Sequence, residues 1–312
     1  MISDLIANYA EYEYFIATAQ LVLAMLGMGA LLAPADFILE IKRPRSLLVG
    51  LGCQWMFVPL VAVALGSMLS VPAGIAAGMV LLAAVPGGTT SNIYTLFARG
   101  NIALSISLTS ITTVAALLTT PLILQLLLGQ YLPEDFNMPT GRIALDIFGA
   151  LILPLMIGMW IRHSWNPRTA VLISRWSIRL SVSLIVVMVI GASGSGRLNP
   201  EAYGLAGIGV LVLFFFCVQC VVLLAGRLTG MGRQDSVAVL IEAGYRNVSL
   251  AVAVKAVVFP AQTGVLDPIG DAVLFAILIY GGISMILALV PVFINRRLTP
   301  ADDSAAVLKM PS

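Results

Sequence analysis

Residues 241–256 read IEAGYRNVSLAVAVKA and set Glu242, Arg246, Asn247 and Lys255 inside an otherwise apolar run. A second polar island, Pro86-Gly87-Gly88-Thr89-Thr90-Ser91-Asn92, interrupts another apolar run. A carboxylate, carboxamides and hydroxyls are hard oxygen ligands, suited to a cation such as Na⁺. Catalysis has little to work with. His163 is the only histidine and lies in the polar turn RHSWNPR, so a His-based metal site or Ser–His pair is excluded. Asp146 and Asp267 stand at opposite ends of the later apolar runs, not in a shared motif. Cys53, Cys217 and Cys220 all fall in apolar runs and read as packing residues. No enzyme is expected.

The elements that must hold these groups follow from composition. The 312 residues are 60% hydrophobic and 10% charged, with a mean hydropathy of +1.02. Soluble domains carry about 25% charged residues, so an all-α polytopic membrane protein is expected. A net charge of +2 gives no reason to expect a nucleic-acid partner. Residues 1–13 hold no Lys or Arg, so a cleavable signal peptide is not expected. A bilayer core of ~30 Å needs about 20 apolar residues per helix. The apolar runs then predict nine transmembrane helices, at 14–34, 46–69, 71–97, 102–130, 143–161, 170–192, 204–225, 235–261 and 270–294.

With the N-terminus outside, 13 of the 17 Lys and Arg residues fall on the inner side, among them Lys42, Arg43 and Lys309. Only Arg142 and Arg197 fall on the outer side, an asymmetry that predicts a cytoplasmic C-terminus. The chain reads as one transporter domain, 1–312, with halves at about 14–130 and 143–294 and a short tail at 298–312.

The two polar islands match. GTTSN (88–92) and AGYRN (243–247) both end in Asn, 155 residues apart, about half the chain. Paired interruptions of this kind point to an inverted-repeat transporter whose discontinuous helices cross near the bilayer midplane. Four spans precede residue 143 and five follow, so such a repeat lacks its first helix. Ser105, Thr109 and Thr112 form one hydroxyl stripe at helical spacing, and Gln54 adds an amide to the second span. A passive channel would want a continuous polar lining instead.

The stretches LGMGALLAPADF, VPGGTTSNIYTLFARGNIALSISLT and IEAGYRNVSLAVA together resemble the bile acid:sodium symporter family, and the resemblance runs through nearly the whole chain. It implies core and panel domains, two crossing broken helices, and the nine-span version of the fold. It maps a first sodium site onto Ser91, Asn92, Ser105, Thr109 and Glu242. A second maps onto Gln54, Glu242, Ala243 and Tyr245, but at Arg246 the family carries a glutamine. The guanidinium then occupies or repels the second sodium, leaving one Na⁺, or it turns toward an anionic substrate. Alternatively it pairs with Glu242 at i, i+4, and movement is proton-coupled or uncoupled.

Asn92 and Asn247 are the expected substrate contacts, with Arg246 and Thr112 beside them. Lys255 is expected to snorkel to the headgroups, to pair with Asp267 or Asp271, or to draw anions into the cavity. Asp146 is expected at the membrane interface. The implied activity is Na⁺-driven uptake of a small organic anion, a carboxylate or sulfonate, across a bacterial inner membrane. Substrate identity and oligomeric state stay open.

Overall fold

A computed structural model describes residues 9–32, 44–88, 90–132, 136–198, 200–261 and 267–298. Thr89, Lys42, Arg43, Lys309 and the tail beyond residue 298 lie outside the described residues.

The described residues are mostly helical. Helix α1 is Tyr9–Gly29, and α2 is Pro44–Met68. An interrupted pair follows, α3 (Ala73–Ala84) and α4 (Ser91–Phe97), then α5 (Ile102–Leu127). Helix α6 is Thr140–Ser164, α7 is Pro167–Gly194 and α8 is Pro200–Thr229. A second interrupted pair, α9 (Arg233–Gly244) and α10 (Val248–Val258), leads to α11 (Pro268–Leu287) and α12 (Leu289–Leu298). Six of the described helical stretches are long and apolar enough to cross a membrane, while Ala73–Ala84 and Val248–Val258 are shorter apolar helices.

The first span differs most from the sequence reading, lying at Tyr9–Gly29 instead of 14–34. Helix α1 begins at Tyr9, not near residue 14, and so includes Glu13. An acid ordinarily marks the edge of an apolar span, but this one is buried against two cations and is thereby tolerated.

Proline shapes two of the long helices. Pro59 and Pro154 cannot donate to the preceding turn, and the ladder widens to a π-turn just before each, over Cys53–Phe57 and Phe148–Ile152. The first π-turn carries Gln54 and turns it inward, where it is buried. Elsewhere small residues let backbones approach. A Cβ at Gly74 or Gly78 would strike Ala272 or Ala276 of α11, so two small residues one turn apart on each helix bring α3 and α11 together.

Helix α1 packs on α6 and α7, and α3 packs on α2 and α11. Helix α10 lies along α1 and joins the two groups.

Candidate ion and substrate site

The two interruptions meet. Val85 ends α3 in an extended conformation (φ −82°, ψ 154°), and Pro86 then withholds its N–H. Tyr245 ends α9 in the same way (φ −99°, ψ 100°). The two extended segments pair antiparallel, with Gly87 opposite Arg246. Gly88 N–H donates to Tyr245 O at 2.8 Å, and Asn247 N–H donates to Pro86 O at 2.9 Å. Backbone groups freed by the breaks therefore satisfy one another, as a low-dielectric surrounding requires. Gly87 cannot be larger, because a Cβ there would run into Oε2 of Glu242.

All five residues of the first predicted set converge. Oε1 of Glu242 accepts from Ser91 Oγ at 2.5 Å, Ser105 Oγ at 2.7 Å and Thr109 Oγ1 at 2.8 Å. Asn92 Oδ1 lies 2.8 Å from Ser105 Oγ and 3.5 Å from Thr109 Oγ1. Each hydroxyl has one hydrogen to give, yet each faces more than one acceptor. Ser91 Oγ also lies 2.6 Å from Gly88 O, and Thr109 Oγ1 lies 3.0 Å from Ser105 O. Oε2 of the fully buried Glu242 has no hydrogen-bond partner among the described residues. The cluster has more oxygen lone pairs than hydrogens to meet them. Such a cluster suits a hard monovalent cation, which would supply what is short.

Of the second predicted set, Gln54 is engaged by the Arg246 guanidinium, whose other bonds go to carbonyls of α3 and the break. The guanidinium donates from Nε to Leu82 O at 3.0 Å, from Nη1 to Gln54 Oε1 at 3.1 Å and from Nη2 to Ala83 O at 2.9 Å. Nη2 also donates to Val85 O. A cation at the carbonyl end of α3 is favourably placed toward the helix dipole. Ala243 and Tyr245 lie alongside on the break, and Tyr245 O is taken by Gly88 N–H. The i, i+4 ion pair of Glu242 with Arg246, the alternative raised by their spacing, does not form. Four residues share a face only on a helix, and Tyr245 is extended.

A cavity of about 400 Å³ adjoins the crossing, between the breaks and the α1 and α7 helices. Asn92, Arg246 and Asn247 line it together with Gln20, Met28, Ile178 and Ser181. Asn247 caps α10, its Oδ1 accepting from Leu250 N–H at 3.0 Å, while its buried Nδ2 has no partner among the described residues. Gln20 Nε2 donates to Ser181 Oγ at 2.7 Å, and Gln20 Oε1 is likewise buried without a partner among the described residues. Thr112 is not brought to this cavity. Its hydroxyl lies 2.7 Å from Leu108 O and 3.2 Å from Thr109 O within α5.

Lys255 corrects another expectation. It is fully buried and donates to Glu13 Oε1 at 3.0 Å, not to Asp267 or Asp271 or out to solvent. Asp146 accepts from Tyr14 OH at 3.0 Å and is partly buried. Several supporting residues were not anticipated from the sequence. Thr95 Oγ1 lies 3.1 Å from Ser105 Oγ, and its i+4 spacing from Ser91 was a readable signal. Tyr280 OH donates to Gly244 O at 2.8 Å, and Thr120 Oγ1 donates to Ala84 O at 2.8 Å, each closing a carbonyl end left by a break. Nothing in the local pattern of either residue marks that role.

The profile of the sodium bile acid symporter family matches residues 18–195. An uncharacterised sodium-dependent transporter of Bacillus subtilis is 31% identical over 241 residues, 77% of this chain and 74% of that protein. A probable chloroplastic sodium/metabolite cotransporter of Oryza sativa subsp. japonica is 27% identical over 298 residues, 95% of this chain and 67% of its own length. A sodium-dependent organic anion transporter of Rattus norvegicus is 28% identical over 246 residues, 77% of this chain and 64% of that one. With more than half of the chain covered by the profile, and relatives similar over most of it, the protein belongs to the sodium bile acid symporter family.

Proposed function

We propose that this protein is a sodium-coupled symporter that moves a small organic anion by alternating access. The observation that carries the reading is the oxygen cluster around Glu242, where Ser91, Ser105 and Thr109 converge on one carboxylate oxygen and the other is left without a donor among the described residues. The names of the relatives, which speak of sodium dependence and of organic anions or metabolites, agree with it.

On this reading one Na⁺ binds among Ser91, Asn92, Ser105, Thr109 and Glu242. The Arg246 guanidinium takes the place of a second, because it already engages Gln54 and the carbonyl end of α3. The same engagement argues against the alternative of proton-coupled or uncoupled movement, since it leaves the Glu242 charge for a cation. The substrate anion sits against Asn247 Nδ2 and Asn92 beside the start of α10. Gln20 Oε1 across the cavity favours anions that also carry a hydroxyl.

The order of the elements supports nine spans. A helix, a helix, an interrupted pair and a helix run from α1 to α5 and again from α7 to α11 and α12, with α6 standing between. This is the pattern of an inverted repeat without its first helix. The helices α1, α6 and α7 correspond to a panel and the remainder to a core. We assign the N-terminus to the outer side and the C-terminus to the cytoplasm of a bacterial inner membrane, from the placement of the basic residues.

Purified protein is to be screened by thermal unfolding against organic anions, hydroxy acids included, in Na⁺ and in K⁺. Hits are then followed by uptake into proteoliposomes with and without a sodium gradient. An anion that stabilises only in Na⁺, and accumulates only down the sodium gradient, is the expected result. Equal uptake in both salts refutes coupling.

A further inference from the structure

Glu13, Arg197, Lys255 and Asp271 form a second charged cluster, and the symport chemistry just described makes no use of it. Arg197 donates from Nη1 to Glu13 Oε2 and from Nε to Asp271 Oδ1. Lys255 Nζ lies 3.0 and 3.3 Å from the two oxygens of Glu13. Asp271 Oδ2 accepts from Asp267 N–H at 3.1 Å. Two cations and two anions are thus closed into one buried network, in which Arg197 is the most exposed at 6%. Gly196, at φ +76°, turns the chain back so that Arg197 N–H reaches Ala192 O and the side chain enters the bundle.

The position of the network follows from the helices that carry it. Glu13 precedes the cavity residues Gln20 and Met28 by roughly 10 and 22 Å of α1 at 1.5 Å per residue. Lys255 lies roughly 12 Å along α10 from Asn247 by the same measure. Asp271 lies roughly 13 Å along α11 from Tyr280, whose hydroxyl marks the crossing. The cluster therefore sits at the end of the bundle away from the cavity. Two of its three ion pairs, Arg197–Asp271 and Lys255–Glu13, cross between two sets of elements. Glu13 is on α1 and Arg197 ends α7, whereas Lys255 is on α10 and Asp271 on α11.

We propose that this network is a gate, closed here, that seals the far end of the bundle and parts in each transport cycle. The inference rests on the alternating-access reading above. Its physical reason is the choice of charge over hydrocarbon. A static seam is held as well or better by apolar packing, because buried ion pairs must repay their desolvation. A seam that opens to water is different, since parted charges are hydrated whereas parted apolar faces are not. Both states of a charged seam then lie close in free energy, as a bistable contact requires. The carrier elements also link gate to site. Helix α1 runs from Glu13 to the cavity residues Gln20 and Met28, and α10 runs from Lys255 to Asn247. Separation at one end is mechanically joined to closure at the other.

The test uses the full chain with Cys53, Cys217 and Cys220 replaced by alanine and a reporter Ala17→Cys. Ala17 is fully buried, one turn from Glu13 on the same face of α1. A membrane-impermeant maleimide is applied to each face separately, in intact cells and in inverted vesicles. Arg197→Gln and Asp271→Asn are each expected to raise the labelling rate at least tenfold from the network's face and not from the other. Asp271→Asn keeps both Glu13 contacts and serves if Arg197→Gln does not fold. Folded variants that label as slowly as the reporter alone overturn the gate and leave a static pin. The sodium-specific thermal shift of the unsubstituted protein is measured in parallel. No shift there counts against the transport reading, whereas a shift with unchanged labelling counts against the gate alone.

Discussion

Arg246 reaches back to Gln54 at 3.1 Å and to the carbonyls of Leu82 and Ala83, supplying the hydrogens that Pro86 and Gly87 no longer give as the next turn of α3. One side chain thus closes a helix end, tethers the π-turn of α2 to the crossing and places a fixed positive charge beside the Glu242 cluster. Four of its five N–H donors are engaged, so little of the guanidinium is left to grip a substrate.

That arrangement predicts a stoichiometry. Sodium titration of transport by the unsubstituted protein is expected to give a Hill coefficient near one, and Arg246→Gln is expected to raise it. A coefficient near two in both proteins refutes the displacement of the second ion. Arg246→Ala removes the donors without replacement and leaves buried carbonyls unpaired. It is expected to cost about 3 kcal/mol or more of stability, read as a lowered unfolding midpoint.

Glu242→Gln separates ion binding from folding. The amide keeps a carbonyl oxygen for Ser91, Ser105 and Thr109, so the variant should fold. It lacks the charge that sodium needs. Sodium at a hundred times its dissociation constant stabilises a binding protein by about 2.7 kcal/mol. The unsubstituted chain is expected to show such a shift and Glu242→Gln none. A sodium-specific shift retained in the variant moves the ion elsewhere.

Thr109 and Thr112 stand on the same stripe of α5, yet only Thr109 reaches Glu242. Thr109→Val is expected to weaken sodium binding about tenfold, the loss of roughly 1.4 kcal/mol from one oxygen contact. Thr112→Val loses only a bond within its own helix and is expected to leave sodium binding and uptake within twofold of the unsubstituted chain. Isothermal titration of both variants with sodium decides between them.

Asn247→Asp tests the anion position without disturbing the cap, because a carboxylate oxygen still accepts from Leu250 N–H. It replaces a donor with a negative charge at the cavity wall. Substrate affinity is expected to fall more than tenfold while the sodium-induced thermal shift persists. Unaltered affinity for the anion places its head group away from α10.

Gly87→Ala probes the close approach of the two breaks. Its methyl group would occupy space held by the Glu242 carboxylate, so the expected outcome is loss of sodium-dependent stabilisation with the helix content retained. Circular dichroism and unfolding curves in Na⁺ and K⁺ distinguish this from general misfolding.

The sequence by itself determined the parts that depend on local chemistry. Twenty-residue apolar runs can only be helices in lipid, since every backbone polar group must be paired internally. Pro86 with two glycines, and Ala243-Gly244 beside Asn247, mark where a helix stops. The types of Ser91, Asn92, Ser105, Thr109 and Glu242 mark a set of hard oxygens before any of them is placed. What only the tertiary structure decided is which distant groups meet. Glu242 and Arg246, four residues apart, read as a pair but face different neighbours, because the break at Tyr245 removes the helical geometry that spacing assumes. Lys255 found Glu13 across 242 residues of chain, and Thr112 turned to its own helix. Charges in a low-dielectric bundle take whichever partner packing delivers, and packing is set by the whole chain rather than by the residues next to them.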